Sequence, residues 1–211
     1  MATLDIAQYS TTDRGGTANA QTLLSVNRAG ALVVTDWYTQ AILEGRGYQC
    51  RLGALTTPVS ADVEVTTLAA EMSVDSVAGL VIIPIRFLFN LEAIVGTLPQ
   101  ASVKMTATAS TAGTAFTLLP LLIGGAAASL TARAAAAGGV TVVDDAVTTT
   151  RLLYASTQAA AGNFDVDIDL CGRGVVNGAG NVYVAVGSVT TGSTYFTALS
   201  VLQYTAAQLG L

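Results

Sequence analysis

From Gly79 to Glu92 the chain reads GLVIIPIRFLFNLE. Val81, Ile83, Ile85, Phe87, Phe89 and Leu91 take the odd positions, and Pro84, Arg86, Asn90 and Glu92 fall among the even ones. Side chains on a strand alternate between its two faces. The pattern therefore predicts one long strand that anchors the core of a β-sandwich. Ile83, Ile85, Phe87 and Phe89 are expected between the sheets, with Arg86 on the opposite face.

The same two-residue period recurs along the chain. Tyr48, Cys50 and Leu52 alternate with Gln49 and Arg51, and Val63, Val65 and Thr67 alternate with Asp62, Glu64 and Thr66. From Ala101 to Ala109, Val103, Met105, Ala107 and Ala109 share one face; Ser102, Lys104, Thr106 and Thr108 share the other. This segment and the Gly79 strand are candidates for an antiparallel pair. Phe116 to Ile123 is a continuous apolar run, as expected of a strand buried on both faces. Further strands are expected at Val140–Val143 and Val147–Ala155. Phe164, Val166, Ile168 and Leu170 then alternate with Asp165, Asp167 and Asp169. After a turn-rich bridge at Gly172, Gly174, Gly178 and Gly180, strands at Val182–Val186 and Tyr195–Tyr204 close the chain. Roughly eight to ten strands with turn signals at about ten-residue intervals give the all-β sandwich or barrel pattern. No strand–helix alternation points to a parallel sheet.

Three stretches break the period. Residues 1–20 are polar and hold too few apolar groups for a core, so they read as an extended arm, leaving 21–211 as a single domain. Thr22–Val26 and Ala31–Thr35 flank a four-residue turn and form a hairpin signal. Asp36 precedes WYTQAILEG, where an N-cap Asp and a terminal Gly bracket one short helix with Trp37, Ala41 and Ile42 or Leu43 on its buried side. A strand through Trp37 is the competing reading. The segment GGAAASLTARAAAAGG, residues 124–139, is alanine-rich between paired glycines and is expected to be an ordered or partly helical excursion.

Composition adds a partner. Charged residues make up only 11% of the chain, against roughly 25% in ordinary globular domains, and 52% are hydrophobic. So few charges suggest that much of the surface meets protein rather than water, as in subunits of large assemblies; a sticky monomer shares the signature. The net charge is −5, and the nine basic residues are scattered. Neutralising a nucleic-acid backbone needs them clustered, so direct binding of nucleic acid is not expected. The N-terminus lacks a basic region followed by an apolar one, so no signal peptide is expected. Phe116 to Ile123 is far shorter than the roughly 20 residues that span a bilayer, so no membrane span is expected either.

Catalytic chemistry is hard to place. The chain has no histidine, which removes His-based triads, His metal sites and the usual near-neutral acid–base group. Cys50 and Cys171 form no CxxC, and their spacing does not show whether they meet. No catalytic residue, cofactor or small-molecule substrate is expected. The one constellation is Asp165, Asp167 and Asp169, three carboxylates on one strand face about 7 Å apart. A solvated face is the plain reading; an ion or basic partner recruited at a subunit interface is the sharper one. A straight strand alone does not bring carboxylates together around a hard cation. Asp144-Asp145 reads as turn chemistry.

The stretch TPVSADVEVTTLAAEMSVDSVAGLVIIPIRFLFNLEAIVG and the terminal VYVAVGSVTTGSTYFTALSVLQY resemble structural proteins of bacteriophages and other viruses built on a single jelly roll. The likeness covers roughly residues 48 to 204 and lies in pattern rather than in a diagnostic motif. It implies an eight-stranded sandwich of two four-stranded sheets that assembles on a virion with copies of itself and with other virion proteins. Many such coat proteins carry a basic N-terminal arm, whereas residues 1–30 here hold Asp5, Asp13, Arg14 and Arg28. The departure favours a shell or decorating role away from the genome. A receptor- or carbohydrate-binding jelly-roll module is the alternative, since fold alone does not choose between these roles.

Overall fold

The computed structural model describes residues 36–62, 68–93, 99–135, 139–142, 149–158, 164–187 and 193–211. Eight strands of five or more residues carry the architecture: β1 (Gly47–Leu52), β2 (Met72–Ser76), β3 (Leu80–Ala93), β4 (Gln100–Thr106), β5 (Arg151–Thr157), β6 (Asp165–Asp169), β7 (Gly180–Gly187) and β8 (Thr194–Thr205). One sheet runs β6-β3-β8-β1, the other β5-β4-β7-β2, and every neighbouring pair is antiparallel. Strands that follow one another in sequence fall in opposite sheets, except β4 and β5, which are neighbours in one. An order of 6-3-8-1 facing 5-4-7-2 is that of a jelly roll, an eight-stranded double Greek key. Short pieces extend the edges: Leu119–Pro120 pairs with β1, and Thr131–Ala134 pairs with β2.

The core lies between the sheets. Phe87, Phe89 and Leu91 of β3, Leu199 and Val201 of β8, and Tyr48 and Cys50 of β1 face Val103, Met72, Val74, Val182 and Val184 from the other sheet. Phe89 is the hub of its aromatic part, with ring centroids 5.2 Å from Phe164 and 5.5 Å from Tyr195. The alternation read from the sequence for Tyr48 and Cys50, and for Phe164, Val166 and Leu170, places these residues inside, as expected.

Within β3 the alternation changes phase. Its register against β8 steps from Arg86↔Ser200 to Pro84↔Val201, so Ile85 has no partner on β8. One extra residue on one strand is a β-bulge, and it shifts which side chains face inward. Proline lacks an N–H to give to the ladder and is tolerated at such irregularities. Beyond the bulge Ile82 joins the inter-sheet core, whereas Ile83 and Ile85 pack with Leu202 on the sheet's outer face. The expectation that Ile83 and Ile85 lie between the sheets is corrected by this insertion; for Phe87 and Phe89, and for the exposed Arg86, it holds.

The outer face so formed is covered by helix α1 (Trp37–Leu43), whose Ala41 and Ile42 sit on Ile83, Ile85 and Leu202. Asp36 caps it, accepting from the Thr39 backbone N–H at 2.8 Å and from the Thr39 hydroxyl at 2.9 Å. Gly45 follows at φ 75°, the left-handed conformation that ends a helix. The helix reading is thus the right one, but Trp37 is 49% exposed rather than buried.

Other expectations are revised. The Gly79 and Ala101 strands are not paired: β3 and β4 lie in opposite sheets. The second of these strands ends at Thr106, and Ala107 and Ala109 are exposed. Phe116 to Ile123 is not one buried strand; only Leu118 is fully covered, and Ile123 is 97% exposed. The run sits at a sheet edge, where its two short strands (Thr114–Phe116 and Leu119–Pro120) belong to different sheets. The alanine-rich excursion holds a strand, Thr131–Ala134, rather than a helix, since Leu130 and Ala132 are buried on either side of exposed Thr131 and the ladder to β2 outweighs alanine's helix preference. The arm at 1–20, the hairpin at 22–35 and the strand at 63–67 lie outside the described residues, as do 143–148. Among the described residues no helix is long and apolar enough to cross a membrane.

Phe87 is fully buried between the sheets. Phe87→Ala is expected to lower stability by about 3–5 kcal/mol in denaturant titration. A loss under about 1 kcal/mol would place the ring outside the core.

Candidate functional site

The phase change in β3 shapes the outer face of the first sheet. Ile85, Arg86 and Leu88 of β3 form the floor of a groove of about 530 Å³, walled by Tyr38 and Ile42 of α1, by Leu121, and by Asp167, Asp169 and Cys171 on and after β6. It is amphipathic, with aliphatic side chains toward the helix and charge toward the sheet edge.

The three carboxylates from the sequence pattern all lie on exposed positions of β6, an edge strand paired only with β3 among the described residues. Each has its own partner. Asp165 accepts from the Asn90 side-chain amide. Asp167 receives a bidentate pair from Arg86, Nε to Oδ1 at 2.8 Å and Nη2 to Oδ2 at 2.6 Å. Asp169 Oδ1 accepts the Cys171 backbone N–H at 2.7 Å. Asp165 and Asp167 reach across to β3 and Asp169 turns to the local backbone, and among the described residues no group of three His, Cys, Asp or Glu is placed to hold a metal ion. Arg86, which the sequence pattern separated only as an outward residue, is the partner that organises this face. The signal available in the sequence was Pro84: a proline inside a long strand marks an irregularity.

Electrostatics follow from these contacts. The Arg86 hydrogen bonds hold the Asp167 carboxyl below its ordinary value, and the same bonds raise Arg86. The Cys171 backbone N–H lowers Asp169 likewise. Burial first, and then the neighbouring Asp169 carboxylate, push the Cys171 thiol up to about 11. Burial alone raises that of Cys50. Both cysteines are free thiols. Ser200 meets Gln49 Nε2 at 3.4 Å, an amide and not a base. The groove thus sets a thiol raised by burial and a serine hydroxyl beside the Arg86–Asp167 ion pair.

A second depression of about 590 Å³ lies on the outer face of the other sheet, between Ser102 and Lys104 of β4 and Arg151, Leu152 and Thr157 of β5. It also runs along an edge strand, and Leu152 on its rim is 61% exposed.

Compared with known proteins, the chain matches no family model, no curated protein and no solved structure.

Two measurements check this site. In a carboxyl NMR titration Asp167 should titrate below an ordinary Asp and return toward it in Arg86→Met. Its folded pKa is depressed, so the pair's small stabilisation is present above the ordinary carboxylate range and is lost as pH falls through the lowered value. At pH 8, alkylation of Cys171 should be on the order of 100-fold slower than that of an unperturbed thiol, and Cys50 should react only on unfolding. Fast labelling of either cysteine in the native protein would contradict the site described.

Proposed function

We propose that the protein is a virion structural subunit, a self-assembling capsid-shell or capsid-decorating jelly roll that meets copies of itself and other virion proteins. The observation that carries this reading is the combination of jelly-roll order with an apolar, charge-poor exterior. Ile123, Leu55 and Leu152 are 97%, 73% and 61% exposed, and Leu43, Leu119 and Val77 also face outward. Isolated exposed aliphatics are ordinary; several in a chain with 11% charged residues favour coverage by protein. Some of the few charges pair with one another, in Arg86–Asp167, Arg46–Glu44 and Arg133–Asp75. Contacts between copies would then rest on shape and apolar area, with little dependence on salt.

The groove beside α1 favours a second reading, a binding module, because it joins aliphatic walls to fixed polar groups. Sedimentation velocity of the purified chain at micromolar concentration separates the two. A multisubunit species that persists on dilution and in added salt is expected of the shell subunit; a stable, soluble monomer would overturn that reading and leave the binding module.

The arm, residues 1–20, is assigned to assembly under this proposal. Deleting residues 2–20 should leave the far-UV β signature and the thermal transition of the subunit nearly intact while weakening the higher-order species. A truncated chain that does not fold would make those residues part of the sandwich.

A further inference from the structure

The outer face of the sheet β5-β4-β7-β2 is polar and yet covered at one end. Asn181 of β7 stands opposite Thr106 of β4 on one side and Asp75 of β2 on the other. Val182 and Val184 lie in the core between the sheets, so Asn181 belongs to the outer face. The chain leaves β4 at Thr106, and Ser110 is fastened to Asp75 on the far side of β7. Residues 107–109 therefore form a strap across β7; they are exposed, whereas Asn181 beneath them is 0% exposed. The strap runs on into a small three-stranded sheet of Ala69–Ala70, Val140–Thr141 and Thr111–Ala112, whose Ala70 and Val140 pack on Tyr183 of β7. Strap and small sheet together cap this end of the face.

A latch holds the cap, and two costs oppose it. The latch is Ser110. Its backbone N–H and its hydroxyl donate to the two carboxylate oxygens of Asp75, each at 2.7 Å, and its hydroxyl meets that of Ser73 at 2.6 Å. Arg133 Nε lies 3.5 Å from Asp75 Oδ2. Hydrogen bonds to an ionised carboxylate are stronger than those between neutral groups. The first cost is the Asn181 amide: neither Oδ1 nor Nδ2 has a hydrogen-bond partner among the described residues. A buried amide that gives up water without a replacement is destabilising. The second cost is Ala112 at φ 56°, the one non-glycine residue in the left-handed region among the described residues. There a Cβ crowds the following carbonyl oxygen. Both costs fall on the cap.

We propose that the cap opens as a unit while the sandwich stays folded, which lets water reach the Asn181 amide and lets Ala112 leave the left-handed region. The strands of the small sheet are two residues long, so few ladder hydrogen bonds resist the opening. What resists it is the Ser110 latch and the packing of Ala70 and Val140 on Tyr183. The closed subunit presents the strap to solvent; the open one presents Asn181, Asp75, Ser73 and Thr106. The strained alanine and the unpaired amide keep the free energies of the two forms close, because each cost is paid only when the cap is shut.

The test is hydrogen exchange of the full-length chain, read by mass spectrometry on peptides covering residues 69–70, 107–112 and 140–142. Their amides are expected to exchange at least about tenfold faster than those of the ladder between β3 and β8, which opens only with the whole fold. Ser110→Ala should speed exchange of the cap by about tenfold. Ala112→Gly, which accepts the left-handed backbone, and Asn181→Leu, which keeps the branched shape without the amide, address the two costs separately. Each should slow exchange of the cap roughly fivefold, and slowing in either one supports release of stored cost on opening. Slowing in neither would overturn the proposal. So would a cap as well protected as the β3–β8 ladder, or one indifferent to Ser110→Ala.

Discussion

The bulge at Ile85, within the long ladder between β3 and β8, is the constraint on which the rest of this structure depends. A strand of uniform alternation offers one apolar face; the bulge gives β3 two, separated along its length. Phe87, Phe89 and Leu91 fill the sandwich, while Ile83 and Ile85 turn outward with Leu202. That outward patch is what α1 packs on, and α1 in turn makes one wall of the groove. The Ile85 carbonyl accepts the Leu170 N–H at 3.0 Å and so fixes the chain leaving β6, where Asp169 and Cys171 lie. Removing the extra residue would shift one half of β3 to the wrong face.

The two outer faces solve the same problem in different ways. On the first sheet, charges sit at the edge and neutralise each other, Arg86 with Asp167, while a helix covers the aliphatic part. On the second, polar side chains are buried beneath the small sheet and must find partners there: Ser73 and Ser110 hydroxyls meet at 2.6 Å, and Asp75 holds Ser110. Among the described residues, aliphatic side chains such as Ile123, Leu55 and Leu152 stand exposed on the exterior. That surface is the feature on which the proposed role in assembly rests.

Much of the fold was legible because burial writes a two-residue period into sequence. Asp165 to Asp169, with Val166 between carboxylates, and Tyr48 to Leu52 each carry that period, and the cap at Asp36 announced α1. What failed did so for identifiable reasons. Strict alternation could not carry through Pro84, because an extra residue changes phase while leaving the composition unchanged. Pairing of the Gly79 and Ala101 strands followed from adjacency in sequence, whereas a jelly roll sends most successive strands to opposite sheets. Residues 131–134 are alanine-rich, so helix propensity spoke against a strand that only the ladder to β2 stabilises. At the candidate site the carboxylates were visible, but their partners Arg86, Asn90 and the Cys171 N–H were not, since each is set by cross-strand register or by a local turn.

The central claim, that this charge-poor jelly roll is completed by other copies of itself, is tested most directly by electron microscopy of the purified full-length protein in neutral buffer. Regular particles or rings of repeating subunits, into which the sandwich fits with Ile123, Leu55 and Leu152 at or near contacts between copies, are predicted. Fields of dispersed single subunits, with those side chains facing solvent, would contradict the account.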